Sequence, residues 1–212
     1  MASQQEAVPV GQASHAGRVV YRAPLTRPSV GLVPGRTDTQ AIVSSLMLSL
    51  AMTAVLQFGQ GLDTLMFGGL FPVWGRVLAF VFIALATLMY GLVGGLIVAW
   101  VNPAITVATG TSPIAPFFFL TNGLIAIGIV IAARLLGPNA ISWRVALGAA
   151  VAMQILMIIA YPPLHLLYFQ LPVERLISMY SFQTVTVIPL STVLLRAVLE
   201  VVKGTGFVRE EA

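Results

Sequence analysis

A set of uncharged hydrogen-bonding side chains interrupts the most apolar runs of this 212-residue chain. In the stretch "VNPAIT", Asn102 and Thr106 lie one helical turn apart on the same face, with Pro103 between them. Pro103 has no N–H, and its ring displaces the carbonyl of Ala99, leaving an acceptor that a partner, water or ligand has to satisfy. Gln57, Asn122, Gln154, Tyr180 and Gln183 stand in comparable apolar surroundings, and Trp74 and Trp100 add flat aromatic surface. Neutral amides beside aromatic rings suit the binding of a flat heteroaromatic compound. They do not make a catalytic set. Paired carboxylates, metal-ligand spacing and a nucleophile with its base are all missing, as is a phosphate-binding loop, so neither an enzyme nor a metal or other cofactor is expected.

The elements that would position these groups are membrane helices. Hydrophobic residues make up 58% of the chain and charged residues 8%, against about a quarter charged in an ordinary soluble domain. Apolar segments run over 41–57, 73–108, 113–136, 143–160 and 175–202. The second has 36 residues, which as one helix would extend about 54 Å against a hydrocarbon core of about 30 Å. It is either one helix with a following loop, giving five crossings, or two short helices, 73–90 and 91–108, turning at Tyr90-Gly91 and giving six.

Charge separates the two. With a cytoplasmic N-terminus and six crossings, nine Lys and Arg residues fall inside and only Arg76 and Arg175 outside; with five crossings the division is five inside and six outside. The positive-inside bias selects six. The expected fold is therefore an all-α bundle of six transmembrane helices over 41–204 in the cell (inner) membrane. A polar cytoplasmic tail, 1–40, precedes it and a short cytoplasmic tail, 205–212, follows, so both termini are cytoplasmic. The first forty residues do not read as a signal peptide, since the polar region is too long and no small-residue cleavage site follows the first apolar run. The basic residues flank apolar spans and form no patch that could follow phosphates, so no nucleic acid is expected as a partner, whereas membrane lipid is.

This topology puts Gln57, Asn102, Thr106, Asn122, Gln154, Tyr180 and Gln183 at one level in the outer half of the bundle. A single Asn or Gln in a membrane helix usually fastens it to a neighbour, at about 0.6 kcal/mol per bond, but convergence at one depth reads as a pocket open to the outside. His165 and Glu174 fall in an outer connection where Pro162 and Pro163 break the helix, and they read as interfacial loop residues. Asp63 belongs to a Gly-rich outer stretch that is either a lid or a solvated loop. Arg76 and Arg175 read as peripheral, which argues against a strongly anionic ligand.

Ala41, Ser45, Ser49 and Thr53 recur every fourth residue, and Gly91, Gly95 and Ala99 do the same, forming two small-residue stripes that admit close helix approach. Two stripes leave room for an external membrane partner. "NPA" resembles the half-helix signature of aquaporins, but those carry it twice with an arginine after the second, and this chain has one and no such arginine. The order of features over 41–204 resembles instead the substrate-binding S-component of energy-coupling-factor (ECF) vitamin transporters. The elements that carry the resemblance are the first helix "AIVSSLMLSLAMTAVL", the outer loop "FGQGLDTLMFGGLFPVWG", the hairpin "LAFVFIALATLMYGLVGGLIVAW", the segment "SPIAPFFFLTNGLIAIGIVIAARLLG" and a last helix with a basic tail. The resemblance implies capture of a small vitamin-like molecule from the outer face, with a thiamine-related compound as the expected ligand. It also implies docking through Ala41, Ser45 and Ser49 on a transmembrane coupling subunit driven by two ATPase subunits. On it, 58–72 matches a lid loop, and Gln57, Trp100, Asn102, Thr106, Asn122, Gln154, Tyr180 and Gln183 match the binding pocket. The competing reading is a non-transporting accessory subunit of a larger membrane complex, which needs no outer cavity.

Overall fold

The computed structural model describes residues 37–68, 71–110, 113–136 and 142–204. The expected tails lie almost wholly outside the described residues: of 1–40 only 37–40 is described, and none of 205–212 is. Five helices follow one another, α1 (Thr39–Phe67), α2 (Trp74–Ala108), α3 (Ala115–Leu136), α4 (Trp143–Leu167) and α5 (Val173–Gly204). No strand occurs among the described residues. All five are long and apolar enough to cross a bilayer. Large aliphatic side chains such as Met47, Leu50, Leu65, Ile159 and Val185 are exposed along them, an arrangement suited to lipid and costly in water.

Five continuous elements are found where six were expected, and the reason lies inside α2. Gly91 has φ 79° and ψ −168°, a conformation open to glycine and outside the helical region. A Cβ added to Gly95 would overlap the Thr87 side chain, and one on Gly94 would come within 3.2 Å of the Ala86 carbonyl. In an unbroken helix, residues eight apart are separated by about 12 Å. The chain therefore doubles back at Gly91, and α2 consists of two rods, 74–90 and 92–108.

Contacts fix how the rods run. Ser45 and Thr53 on α1 meet Gly94 and Asn102, so α1 lies parallel to the second rod of α2. Gly59 and Asp63 meet Leu78 and Gly75, so α1 is antiparallel to the first. Gly95 against Ala126 and Trp100 against Phe119 make α3 antiparallel to the second rod. Gly148 against Leu136, with Thr121 against Tyr161, reverses the direction again for α4. Gln154 against Thr184, with Trp143 against Arg196, reverses it once more for α5. The fully buried Met52, Phe80, Ile83, Ile125, Ile129, Met153, Leu195 and Leu199 fill the space between the helices.

Two expectations about helix ends are corrected. The stretch 58–72 is not a loop over most of its length, because α1 continues through Gly59 and Gly61 to Phe67. At Gly59 the missing side chain lets α2 approach, since a Cβ there would lie 3.3 Å from the Gly75 nitrogen. The helix stops only at Gly68, whose left-handed φ of 61° lets its N–H return to Thr64. Likewise α4 does not break at Pro162 and Pro163 but carries both to Leu167. Glu174 then falls in the first turn of α5, where a carboxylate complements the helix dipole.

Candidate functional site

The end of the bundle where α1 stops and α2 starts holds a cavity of about 560 Å³, within the range of small-molecule sites. Its wall takes residues from all five helices and from the connection after α4. Its apolar lining mixes the rings of Phe71, Phe118, Tyr161 and Phe169 with aliphatic side chains such as Leu56, Ile125 and Met157. Gln60, Asp63, Arg76, Asn102, Asn122, His165 and Arg175 supply its polar groups.

Asp63, in the wall of this cavity, ties two helices together. Its Oδ1 accepts from the backbone N–H groups of Val73 at 3.0 Å and Trp74 at 2.8 Å, and its Oδ2 accepts from Gly75 at 2.9 Å. A carboxylate on the last turns of α1 thus caps the first turn of α2, satisfying donors that have no partner inside that helix. Asp63 is buried, and its alternative readings as a lid or solvated loop acid are both replaced by this role.

Arg76 stands three residues into the first rod of α2. One of its guanidinium nitrogens donates to Gln183 Oε1 on α5, and the guanidinium lies 5.0 Å from the centre of the Tyr161 ring on α4. It belongs to the cavity wall and is not peripheral, and Arg175, on the first turn of α5, lines the same cavity. His165, read from sequence as a loop residue, is helical; its Nδ1 is 2.8 Å from the Tyr180 hydroxyl, and its ring stacks on Tyr161 at 5.7 Å. Tyr161 also meets Phe117 edge-on and approaches the Thr121 hydroxyl at 3.4 Å.

Of the eight residues expected in the pocket, Asn102 and Asn122 line the cavity. Both amides also fasten helices. Asn102 Nδ2 donates to Thr53 Oγ1 on α1 at 3.2 Å, and Asn122 Nδ2 donates to the Ala99 carbonyl at 3.2 Å. That carbonyl is the acceptor opened by Pro103, so the break in the second rod of α2 is closed from α3. Gln183 and Tyr180 stand one layer behind the wall, holding Arg76 and His165. Gln154 is buried farther from the cavity, with Nε2 donating to Thr184 Oγ1 at 3.1 Å. Thr106 turns its hydroxyl back to the Asn102 carbonyl, Trp100 is 44% exposed with Nε1 donating to the Phe119 carbonyl, and Gln57 faces outward. None of these four contributes to the cavity wall. Sequence reasoning misses Arg76 because it stands in the first turn of an apolar helix, where a long basic side chain commonly extends to the interface.

The small-residue stripe on α1 is corrected as a docking face. Ala41, Ser45 and Ser49 are 1%, 0% and 0% exposed, and Ser45 Oγ would lie 3.0 Å from a Cβ on Gly94. The stripe packs against the second rod of α2 and presents nothing outward. Comparison with family models, curated proteins and solved structures found no match to this chain. The cavity and its lining are therefore the ground on which a function rests.

Proposed function

We propose that this protein is a membrane-embedded substrate-binding subunit of an importer, as its resemblance to ECF S-components implies, capturing a small water-soluble, vitamin-like molecule from the outer face. The observation that carries this reading is the cavity of about 560 Å³ at one end of the bundle. A purely structural accessory subunit needs no such space. Six rods, counting both halves of α2, would cross the bilayer with both termini in the cytoplasm. Arg134, Arg144 and Arg196 gather at the end opposite the cavity, where the positive-inside bias puts the cytoplasm, which leaves the cavity open to the outside. Import would require a coupling subunit and ATPases supplied by partners, and with the α1 stripe used internally the coupling subunit would dock on another face.

The test is native mass spectrometry of protein purified gently from its membrane. A retained adduct of a few hundred daltons, lost when Ala79→Trp fills the cavity, is the expected result. An adduct-free protein indistinguishable from the filled variant would remove the reading. Topology is tested separately by cysteine substitution at positions 64, 168 and 139 with an impermeant reagent. The first two should label from outside and the third only after permeabilisation, and external labelling at 139 would eliminate six crossings.

A further inference from the structure

We infer that the cavity selects an organic monoanion, a flat ring system bearing a carboxylate, with Arg76 and Arg175 receiving the acidic group. This rests on the reading that the cavity binds a small molecule, and it replaces a thiamine-like cation as the ligand class. Two arginines and one aspartate stand in the wall, and the aspartate is occupied. Both oxygens of Asp63 are engaged by the N–H groups of Val73, Trp74 and Gly75. Among the described residues, no carboxylate lies within ion-pair distance of Arg76 or Arg175, the ion pair recorded there being Arg196–Glu200 at the far end.

Among the described residues, the close contacts of Arg76 are the Gln183 amide oxygen and the Tyr161 ring, while the Asp63 carboxylate acts on it from beyond ion-pair distance. A guanidinium held inside an apolar bundle is costly unless an opposite charge accompanies it. Its contacts hold it in place without neutralising it: Gln183 is fully buried on α5, and Tyr161 is fixed by Phe117 and His165. Arg175 is exposed at the edge of the same cavity, where it can meet an incoming anion. Two arginines against Asp63 leave one formal positive charge in the wall, which a carboxylate balances and a phosphate dianion exceeds. The aromatic side of the cavity then accommodates the ring body by stacking and edge contacts.

The test uses full-length protein in mild detergent and two matched series, benzoate, benzamide and benzylamine, then 2-naphthoate, 2-naphthamide and 2-naphthylmethylamine. Binding is measured by calorimetry at neutral pH. In at least one series the carboxylate should bind most tightly and the protonated amine least. Arg76→Gln should weaken the carboxylate by roughly 10- to 150-fold, the loss expected for a hydrogen bond to a charged group, while changing the amide little. Arg175→Gln, at an exposed position, should lower the same preference and decides the matter if Arg76→Gln fails to fold. An amide or amine that binds wild-type protein as tightly as its carboxylate overturns the anion assignment and leaves small-molecule binding standing. Binding by no member of either series overturns the anion assignment, while the retained adduct in native mass spectrometry decides small-molecule binding separately.

Discussion

Pro103 and Asn122 should be energetically coupled, with a sign that follows from the bond they share. Pro103 cannot donate to the carbonyl of Ala99, and Asn122 donates there instead, at 3.2 Å from the neighbouring helix. Ala99 is fully buried, so Asn122→Ala alone strands an acceptor away from water. Leaving a buried group unpaired costs about 1–3 kcal/mol, whereas interhelical bonds in membranes average about 0.6 and reach about 1.7 kcal/mol. The expected loss for the single variant is therefore about 1–2 kcal/mol. Pro103→Ala restores an N–H four residues after Ala99, so the carbonyl gains an acceptable partner within its own helix. In that background Asn122→Ala should cost no more than about 0.5 kcal/mol, leaving a coupling of about 1 kcal/mol. Reversible unfolding of the four proteins of this cycle by SDS titration in mixed micelles measures it. Equal costs for Asn122→Ala in the two backgrounds would show that Asn122 does not compensate for the proline.

Asp63→Ala should destabilise the fold by about 3–5 kcal/mol, because three backbone donors lose a charged acceptor, and Asp63→Asn by less, since one oxygen remains; the same SDS titration ranks them, and near-wild-type stability of the alanine variant would refute the cap. Gly91→Ala should cost about 1–2 kcal/mol, because its φ of 79° lies where side chains are strained. A stability unchanged in that assay would show that the reversal does not need glycine. Ser45→Leu with Ser49→Leu should lower the yield of folded monomer in size-exclusion chromatography, since both face α2; a normally folded variant would return the stripe to the surface.

What could be read from the sequence was the set of constraints imposed by the bilayer. A 36-residue apolar run cannot cross once without a large mismatch, and Gly91 is where the turn falls. Asn102 and Asn122 were singled out by the same reasoning as amides in apolar helices, and both line the cavity. What could not be read was which way a side chain faces. Arg76 and Arg175 lie near helix ends, where long basic side chains commonly extend to the interface, so position alone gives no sign that they line a cavity. The stripe Ala41, Ser45, Ser49 correctly marks a close-packed seam, but small residues specify how near a neighbour comes and not which neighbour it is. Glycine misled in a related way. In 58–72 it signals a flexible loop by composition, while in a membrane bundle Gly59 signals contact with another backbone.

The same residue types explain why this cavity lies where it does. Near the Gly91 turn, Gly94 and Gly95 bring the two rods of α2, Ser45 of α1 and Ala126 of α3 close together. Gly128 against Ala152 continues the close packing between α3 and α4. Toward the other end, the inward positions change to Phe71, Phe118, Tyr161, His165 and Arg76. These longer side chains line the cavity, and hydrogen bonds of Asn102, Asn122 and Asp63 join the helices around it. At the cavity end, Gly59 and Gly75 keep α1 close to the first rod of α2, and the large side chains surround the space beside that seam. The same groups that bound this space, the rings of Phe71, Phe118 and Tyr161 and the charge of Arg76, are therefore the ones that anything entering it would meet.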